Sequence, residues 1–279
     1  MRGCHCLRVP GLFLSVFFAL AAPAAAAELK SETVEAFNHY VEITEARMAG
    51  ELGNASSFLW VDRQPEQRRR LILAQLLEGR VVTSPLETCD RARPISIPGG
   101  LVHHWVALIF VPGVSLPQTL AEQQDYDHYQ DIYRPDFQRS KLLNTNGKNF
   151  GVAFRLYRKI IVTAAYDSEF DIRYFPLDAR REYSLSHSIR IAQVDDAGES
   201  DEHDEPVGKG RGYLWRLNTY SRYEEKDGGV YIQIEFIALS RAVPAMFAWL
   251  VDPYIGTIPR EYLTRLLEAT RTTLTTKNY

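Results

Sequence analysis

Apolar positions recur at helical spacing in the first third of the chain and alternate with polar ones afterwards. SETVEAFNHYVEITEARM (31–48) carries Val34, Phe37, Val41 and Ala46 on roughly one side, with Ser31 as a candidate cap, and predicts a helix. PEQRRRLILAQLLEG predicts a second over 65–77, opened by Pro65 and closed by Gly79. LGNASS between them reads as a loop. From residue 101 the period changes. LVHHWVALIFVPG (101–113) predicts a strand that stops at Pro112-Gly113. VSLPQTLAEQQDYDHYQDIY returns to helix, with Pro117 in its first turn. Strands then follow over 150–159, 160–170, 180–194, 212–225 and 230–241. Lys226-Asp227-Gly228-Gly229 joins the last two as a tight hairpin, because glycine accepts positive φ.

The last strand shows the alternation well. Val230, Ile232, Ile234, Phe236 and Ala238 face one way and Tyr231, Gln233 and Glu235 the other. One dry and one wet face predicts an antiparallel sheet. Such a sheet needs a cover. PREYLTRLLEATRTTL supplies a candidate, with a stripe of Tyr262, Leu263, Leu266, Leu267, Thr270 and Leu274. Pro244 and Pro253 bound a short helix before it. VVTSPLETCDRARPISIPGG offers an additional edge strand. Helices bracketing a consecutive run of strands imply the α+β class.

The start of the chain changes the picture of where the protein works. Arg2 and Arg8 precede an apolar run from Leu12 to Ala22, and alanines offer A-x-A cleavage positions before Glu28. This three-part pattern predicts a secretory signal peptide over 1–27 and an exported, periplasmic or extracellular protein. Cleavage after Ala27 removes two of the 32 basic residues and none of the 35 acidic ones, taking the net charge from −3 to −5. It also leaves Cys89 as the lone cysteine, so stability must come from the core and not from a disulfide. Mild acidity argues against a nucleic-acid partner.

Candidate chemistry is sparse. DYDHYQDIYRPDF (125–137) crowds carboxylates, tyrosines and His128 together. Asp125, His128 and Tyr129 share a helix side, but two such ligands fall short of a zinc set and match no metal motif. The stretch is read as structural, with Tyr126, Tyr129 and Tyr133 docking on the sheet edge and their hydroxyls near water. His103 and His104 point to opposite faces of their strand and cannot share a metal. The acidic segment 195–210 lacks the calcium-loop pattern and reads as a solvated hairpin loop. No metal and no cofactor is expected, and the nucleophile-elbow and phosphate-loop signatures are absent. His187 shares a face with Tyr183, Leu185, Ile189 and Ile191. If that face is concave, its imidazole enters an apolar cavity, where it either orients a ligand or is satisfied by a neighbour. Tyr213, Trp215, Leu217 and Thr219 either line the same cavity or turn away and leave Arg216 inside.

Asp125-Tyr126-Asp127-His128-Tyr129, Tyr133-Arg134-Pro135-Asp136-Phe137, Ser140-Lys141-Leu142-Leu143 and the terminal PREYLTRLLEATR resemble the START-like helix-grip superfamily over roughly 101–275. The resemblance implies a curved antiparallel sheet gripping a long C-terminal helix around an apolar ligand. A helical arm over 28–78 precedes the helix-grip domain at 79–279. The expected partner is a hydrophobic small molecule or lipid, with transient membrane contact an option and the oligomeric state open. Phe154, Tyr183, His187, Tyr213, Trp215, Phe236, Leu263 and Leu267 are the candidate ligand-binding residues, and no catalytic residue is assigned. The alternatives are a cyclase- or hydrolase-like enzyme using the same cavity, and an interaction protein whose cavity its own side chains fill.

Overall fold

The computed structural model describes residues 27–159, 163–242 and 257–277. The signal-peptide pattern, save Ala27, and the short helix expected between Pro244 and Pro253 lie outside those residues. Strands β1 (Val82–Pro85), β4 (Gly100–Pro112), β5 (Phe137–Asn146), β6 (Asn149–Lys159), β7 (Thr163–Pro176), β8 (Arg181–Asp195), β10 (Arg216–Lys226) and β11 (Gly229–Arg241) form one sheet in the order β1-β4-β11-β10-β8-β7-β6-β5. A short β9 (His203–Asp204) pairs with β8. A separate two-stranded hairpin holds β2 (Cys89–Asp90) and β3 (Arg93–Pro94). Every pairing is antiparallel. The connection expected at 226–229 is a two-residue loop, because Lys226 already pairs with Gly229. Asp227 and Gly228 both adopt positive φ, 55° and 77°, which matches the right-handed twist of the flanking strands.

Register shifts between Phe137 and Arg139, between Leu142 and Asn144, and between Glu169 and Phe170 bend the β5–β8 half of the sheet. The C-terminal helix (Thr257–Thr276) lies on one face, called inner here. Leu263, Leu267 and Leu274 are buried there in one cluster with Ala107, Ile109, Ile232, Ile234 and Phe236. Helices α3 (Leu116–Gln123) and α4 (Tyr129–Ile132) close one side of that layer. Ser115 and Gln118 form a reciprocal cap on α3, and proline stands in its first turn as the sequence predicts. This is the α+β helix-grip arrangement.

The opposite, outer face is not wet. Helices α1 (Ser31–Leu52) and α2 (Glu66–Leu77) cover it. The α1 stripe is Thr33, Phe37, Tyr40, Thr44 and Met48, so of the row read from the sequence only Phe37 is fully buried, and the helix begins after Lys30 without a side-chain cap from Ser31. Phe37, Tyr40 and Met48 pack with Tyr183, Trp215, Tyr220, Ile237 and Leu239. Phe58, Leu59, Trp60 and Val61 from the α1–α2 connection pack with Val106, Leu108, Phe110 and Tyr231. Gln233 and Glu235, expected in water, are 0% and 1% exposed. The alternation records two chemically different faces. It does not record whether another segment lies on the polar one.

Leu267 of the C-terminal helix is fully buried against the sheet. Leu267→Ala is expected to lower unfolding stability by about 2–5 kcal/mol, the usual range for a core leucine, measured by urea denaturation. A loss under about 1 kcal/mol would mean that the helix is not anchored on the sheet.

Candidate ligand face and the buried polar interface

On the inner face each strand contributes alternate residues, and pairing fixes which. Trp105 sits opposite Phe236, and His103 opposite Ala238. Thr219 sits opposite Phe236 on one side and Ser186 on the other. Ser186 and Ser188 sit opposite Ile172 and Phe170. The C-terminal helix packs chiefly on β4 and β1 and against α3 and α4. Over the middle of β8 and β10 the inner positions Ser186, Ser188, Leu217 and Thr219 stay half-buried although these strands are central in the sheet. Trp105, Tyr262 and Leu266 border the same area and are also half-buried.

The far end of this layer is closed by the tyrosines of the DYDHYQDIY stretch. Tyr126 and Tyr133 are buried, so their hydroxyls are not near water as the sequence suggested. They bond one another's neighbours instead. The Tyr126 hydroxyl meets that of Tyr174 at 2.9 Å, Tyr129 donates to the Gln123 carbonyl at 2.7 Å, and Tyr133 meets Thr270 at 3.0 Å. Burial pushes the Tyr133 phenol up to about 12. Asp136, also buried, accepts a fork from Arg265 at 2.8 and 3.0 Å and one bond from Arg158 at 3.0 Å, tying the C-terminal helix to the strands. His128 and Asp125 bond at 2.7 Å at the surface. Among the described residues no group of three or more metal-ligating side chains converges.

The structure divides the predicted site residues between two faces. Phe154, Phe236, Leu263 and Leu267 lie together in the inner cluster. Tyr183 and Trp215 belong to the outer cluster under α1. His187 is on the outer face too, where its Nε2 meets Glu45 of α1 at 2.7 Å and Tyr220 donates to the same carboxylate at 2.7 Å. Tyr213 is exposed, with the Arg241 guanidinium 5.5 Å from its ring centre. The placement of His187 in a concave cavity is therefore corrected. The apolar row Tyr183, Leu185 and His187 belongs to the face covered by α1, and the serine row Ser184, Ser186 and Ser188 faces inward. Arg216 does not enter the inner layer either. Its side chain bonds the Trp215 carbonyl at 2.9 Å.

The outer face carries a charge network that sequence reading missed. Arg222 is 1% exposed and donates to Glu51 at 2.6 Å and to the Phe58 carbonyl at 2.5 Å. Glu235 accepts from His104 at 2.7 Å and from Arg47. Trp60 donates its main-chain N–H to Gln233 at 2.5 Å. Thr88 donates to the Tyr40 hydroxyl at 2.8 Å, so Tyr40 donates onward to His104 Nδ1 at 2.9 Å, which leaves Nε2–H for Glu235. Burial alone would push the Glu235 carboxyl up, but the His104 bond and the charges of Arg47 and Arg222 hold it below the usual value. Glu45 follows the same pattern through His187 and Tyr220. Burial pulls Arg222 down to about 10, which leaves it charged at neutral pH. The legible signal was the pair of charged residues, Arg222 and Glu235, inside otherwise well-patterned strands.

Two hollows among the described residues lie off the inner face. One of about 470 Å³ borders Glu66, Gln67, Arg70 and Leu71 on α2. The other, of about 420 Å³, lies at the strand ends beside Tyr157, Ala165, Val194, Asp195, Arg211 and Tyr213.

No family model matches the chain, and no curated protein matches it significantly. Among solved structures it is similar to a STAR-related lipid transfer protein (fragment 25-204) from Xanthomonas axonopodis, at 14% identity and TM-score 0.43, covering 69% of this chain and 98% of that one. The Zhui aromatase/cyclase from a Streptomyces species is similar at 11% identity and TM-score 0.42, covering 63% and 94%. Human STARD10 is similar at 10% identity and TM-score 0.41, covering 74% and 80%. The helix-grip assignment itself rests on the strand order and on the helix laid across it.

Two outcomes are expected from the outer network. Glu235→Ala leaves His104 and Arg47 without their buried anion and should cost about 3–5 kcal/mol, read from urea unfolding; a cost below about 1 kcal/mol would mean that the network contributes little. Glu45 and Glu235 sit below the ordinary glutamate value in the folded chain, so their stabilisation is complete above about 4.3 and is lost as pH falls through the depressed folded values. Protection factors of the α1 amides, corrected for the intrinsic slowing of exchange with acid, should therefore fall on acidification below that point, and protection factors that are flat with pH would contradict the assignment.

Proposed function

We propose that this protein binds a hydrophobic small molecule or lipid between the inner sheet face and the C-terminal helix. The supporting observation is the off-centre helix: it packs on β4 and β1 and leaves Ser186, Leu217 and Thr219 half-buried on central strands. An apolar guest over these residues would complete the layer, gaining about 25 cal/mol per Å² of apolar surface buried before the costs of association. Inner-face apolar groups Trp105, Phe154, Phe236, Leu217, Tyr262 and Leu266 would form its contacts. The leader-like segment at 1–27 motivates the further proposal that the protein works after export, where a carrier would handle poorly soluble molecules. The cyclase or hydrolase reading required a histidine–carboxylate pair inside the cavity. The His187–Glu45 pair lies on the outer face and lends that reading no support.

Thr219→Trp would place an indole over the half-buried area bordered by Trp105, Tyr262 and Leu266. Native mass spectrometry of protein purified from its own cell envelope is expected to show a retained apolar mass on the wild type and its loss from Thr219→Trp, with unchanged circular dichroism. Equal retention by both, or no retained mass on either after mild purification, would count against the proposal.

A further inference from the structure

Among the described residues the inner face contains one imidazole, His103, which enters the sequence reading only as half of a metal pair. His103 stands on β4 between Leu101 and Trp105 on the inner side, opposite Ala238. Its Nε2 meets the Ser240 hydroxyl at 3.0 Å. Among the described residues Nδ1 has no hydrogen-bond partner, and the side chain is half-buried. Burial moves its pKa down, so the ring is uncharged at neutral pH.

The charge of the surroundings is the second observation. The inner positions run through Leu101 to Val111 on β4, Val230 to Ser240 on β11 and Leu217 to Tyr223 on β10. They continue through Ser184 to Ser188 on β8, Tyr166 to Tyr174 on β7 and Phe150 to Leu156 on β6. At alternate residues these stretches hold no Asp, Glu, Lys or Arg. Arg222 and Glu235 of the central strands lie on the outer face, while the next inner positions, Glu182 on β8 and Glu225 on β10, lie at the α3 end and are taken up by Lys148 and the Leu116 N–H. An anionic head group placed against these stretches would lose hydration and meet no counter-charge. A neutral oxygen would lose less and would find His103 Nδ1 and the Ser186 and Thr219 hydroxyls within the same surface.

We infer that His103 is the polar anchor of the inner face, and that the ligand is an apolar molecule whose buried part is uncharged and carries a hydroxyl or carbonyl oxygen. This rests on the binding proposal above and names its ligand class. A hydroxyl can donate to Nδ1 while Nε2–H bonds Ser240; a carbonyl is served by the other tautomer, with Ser240 donating to Nε2. Either contact orients the guest along β4, and the apolar remainder lies over Trp105, Leu217 and Phe236.

Three fluorescent probes of one shape separate the cases: pyrene, 1-hydroxypyrene and 1-pyrenecarboxylate, titrated into the full chain at pH 7. The wild type is expected to bind hydroxypyrene about tenfold tighter than pyrene, the value of one net hydrogen bond, and the carboxylate weakest of the three. In His103→Phe the preference for hydroxypyrene over pyrene should fall to near one while pyrene affinity stays within about threefold, which also reports that the variant is folded. His103→Gln, which keeps a hydrogen-bonding group, should restore part of the preference. If the wild type binds pyrene and hydroxypyrene equally, or prefers the carboxylate, or if His103→Phe keeps the full preference, this inference fails while the binding proposal stands. If no probe binds the wild type, the binding proposal fails and this one with it.

Discussion

Burial of both faces of one long sheet is the constraint that organises this protein. A sheet of this width, with apolar residues on each side, is stable only if each side is covered, and two amphipathic layers from opposite ends of the chain do so. The C-terminal helix supplies Leu263, Leu267 and Leu274 to the inner face. The N-terminal helices supply Phe37, Tyr40, Met48 and Phe58 to the outer one. The arm is therefore a structural layer and not an appendage, which accounts for Gln233 and Glu235 being buried in a strand that reads as half wet.

The two covers differ in chemistry, and the difference bears on function. The outer interface is closed by matched charges, Arg222 with Glu51 and Glu235 with Arg47, and by the His104 bond to Glu235. Such a network fixes one register of α1 on the sheet, because a shift of one turn would leave a buried ion alone. Among the described residues the inner interface has no comparable ionic lock over the middle of β8 and β10. Its clamp, Asp136 with Arg265 and Arg158, lies beside α4, at the edge of the layer. Over β8 and β10 the inner positions Ser186, Ser188, Leu217 and Thr219 are only half-buried.

Much of this was legible in the sequence. The strand run, the Asp227-Gly228 turn, the Pro117 helix start and the terminal stripe each follow from local rules, and the structure places them where period and turn chemistry point. The failures share a physical cause. Alternation in β8 separates Tyr183, Leu185 and His187 from Ser184, Ser186 and Ser188, but the identity of the covering layer is a long-range fact. The apolar row went to α1 because Tyr40 and Phe37 meet it there, and the serine row went inward. The same ambiguity hid His103, whose inward direction follows only once Trp105 is known to pair with Phe236. The tyrosine hydroxyls of 126–133 went unread because their partners, Tyr174 and Thr270, lie 48 and 137 residues away.

The most direct test of the central claim, that the outer face is sealed and the inner face receives apolar molecules, is photolabelling of the folded protein with a small uncharged diazirine, followed by peptide mapping. The account predicts label on inner-face residues of β4, β8 and β10, around Trp105, Ser186, Leu217 and Thr219, with Tyr220, Ile237 and Leu239 beneath α1 left unlabelled. Label concentrated on exposed Leu71, Leu77 or Ile189, with none on the inner strands, would contradict it.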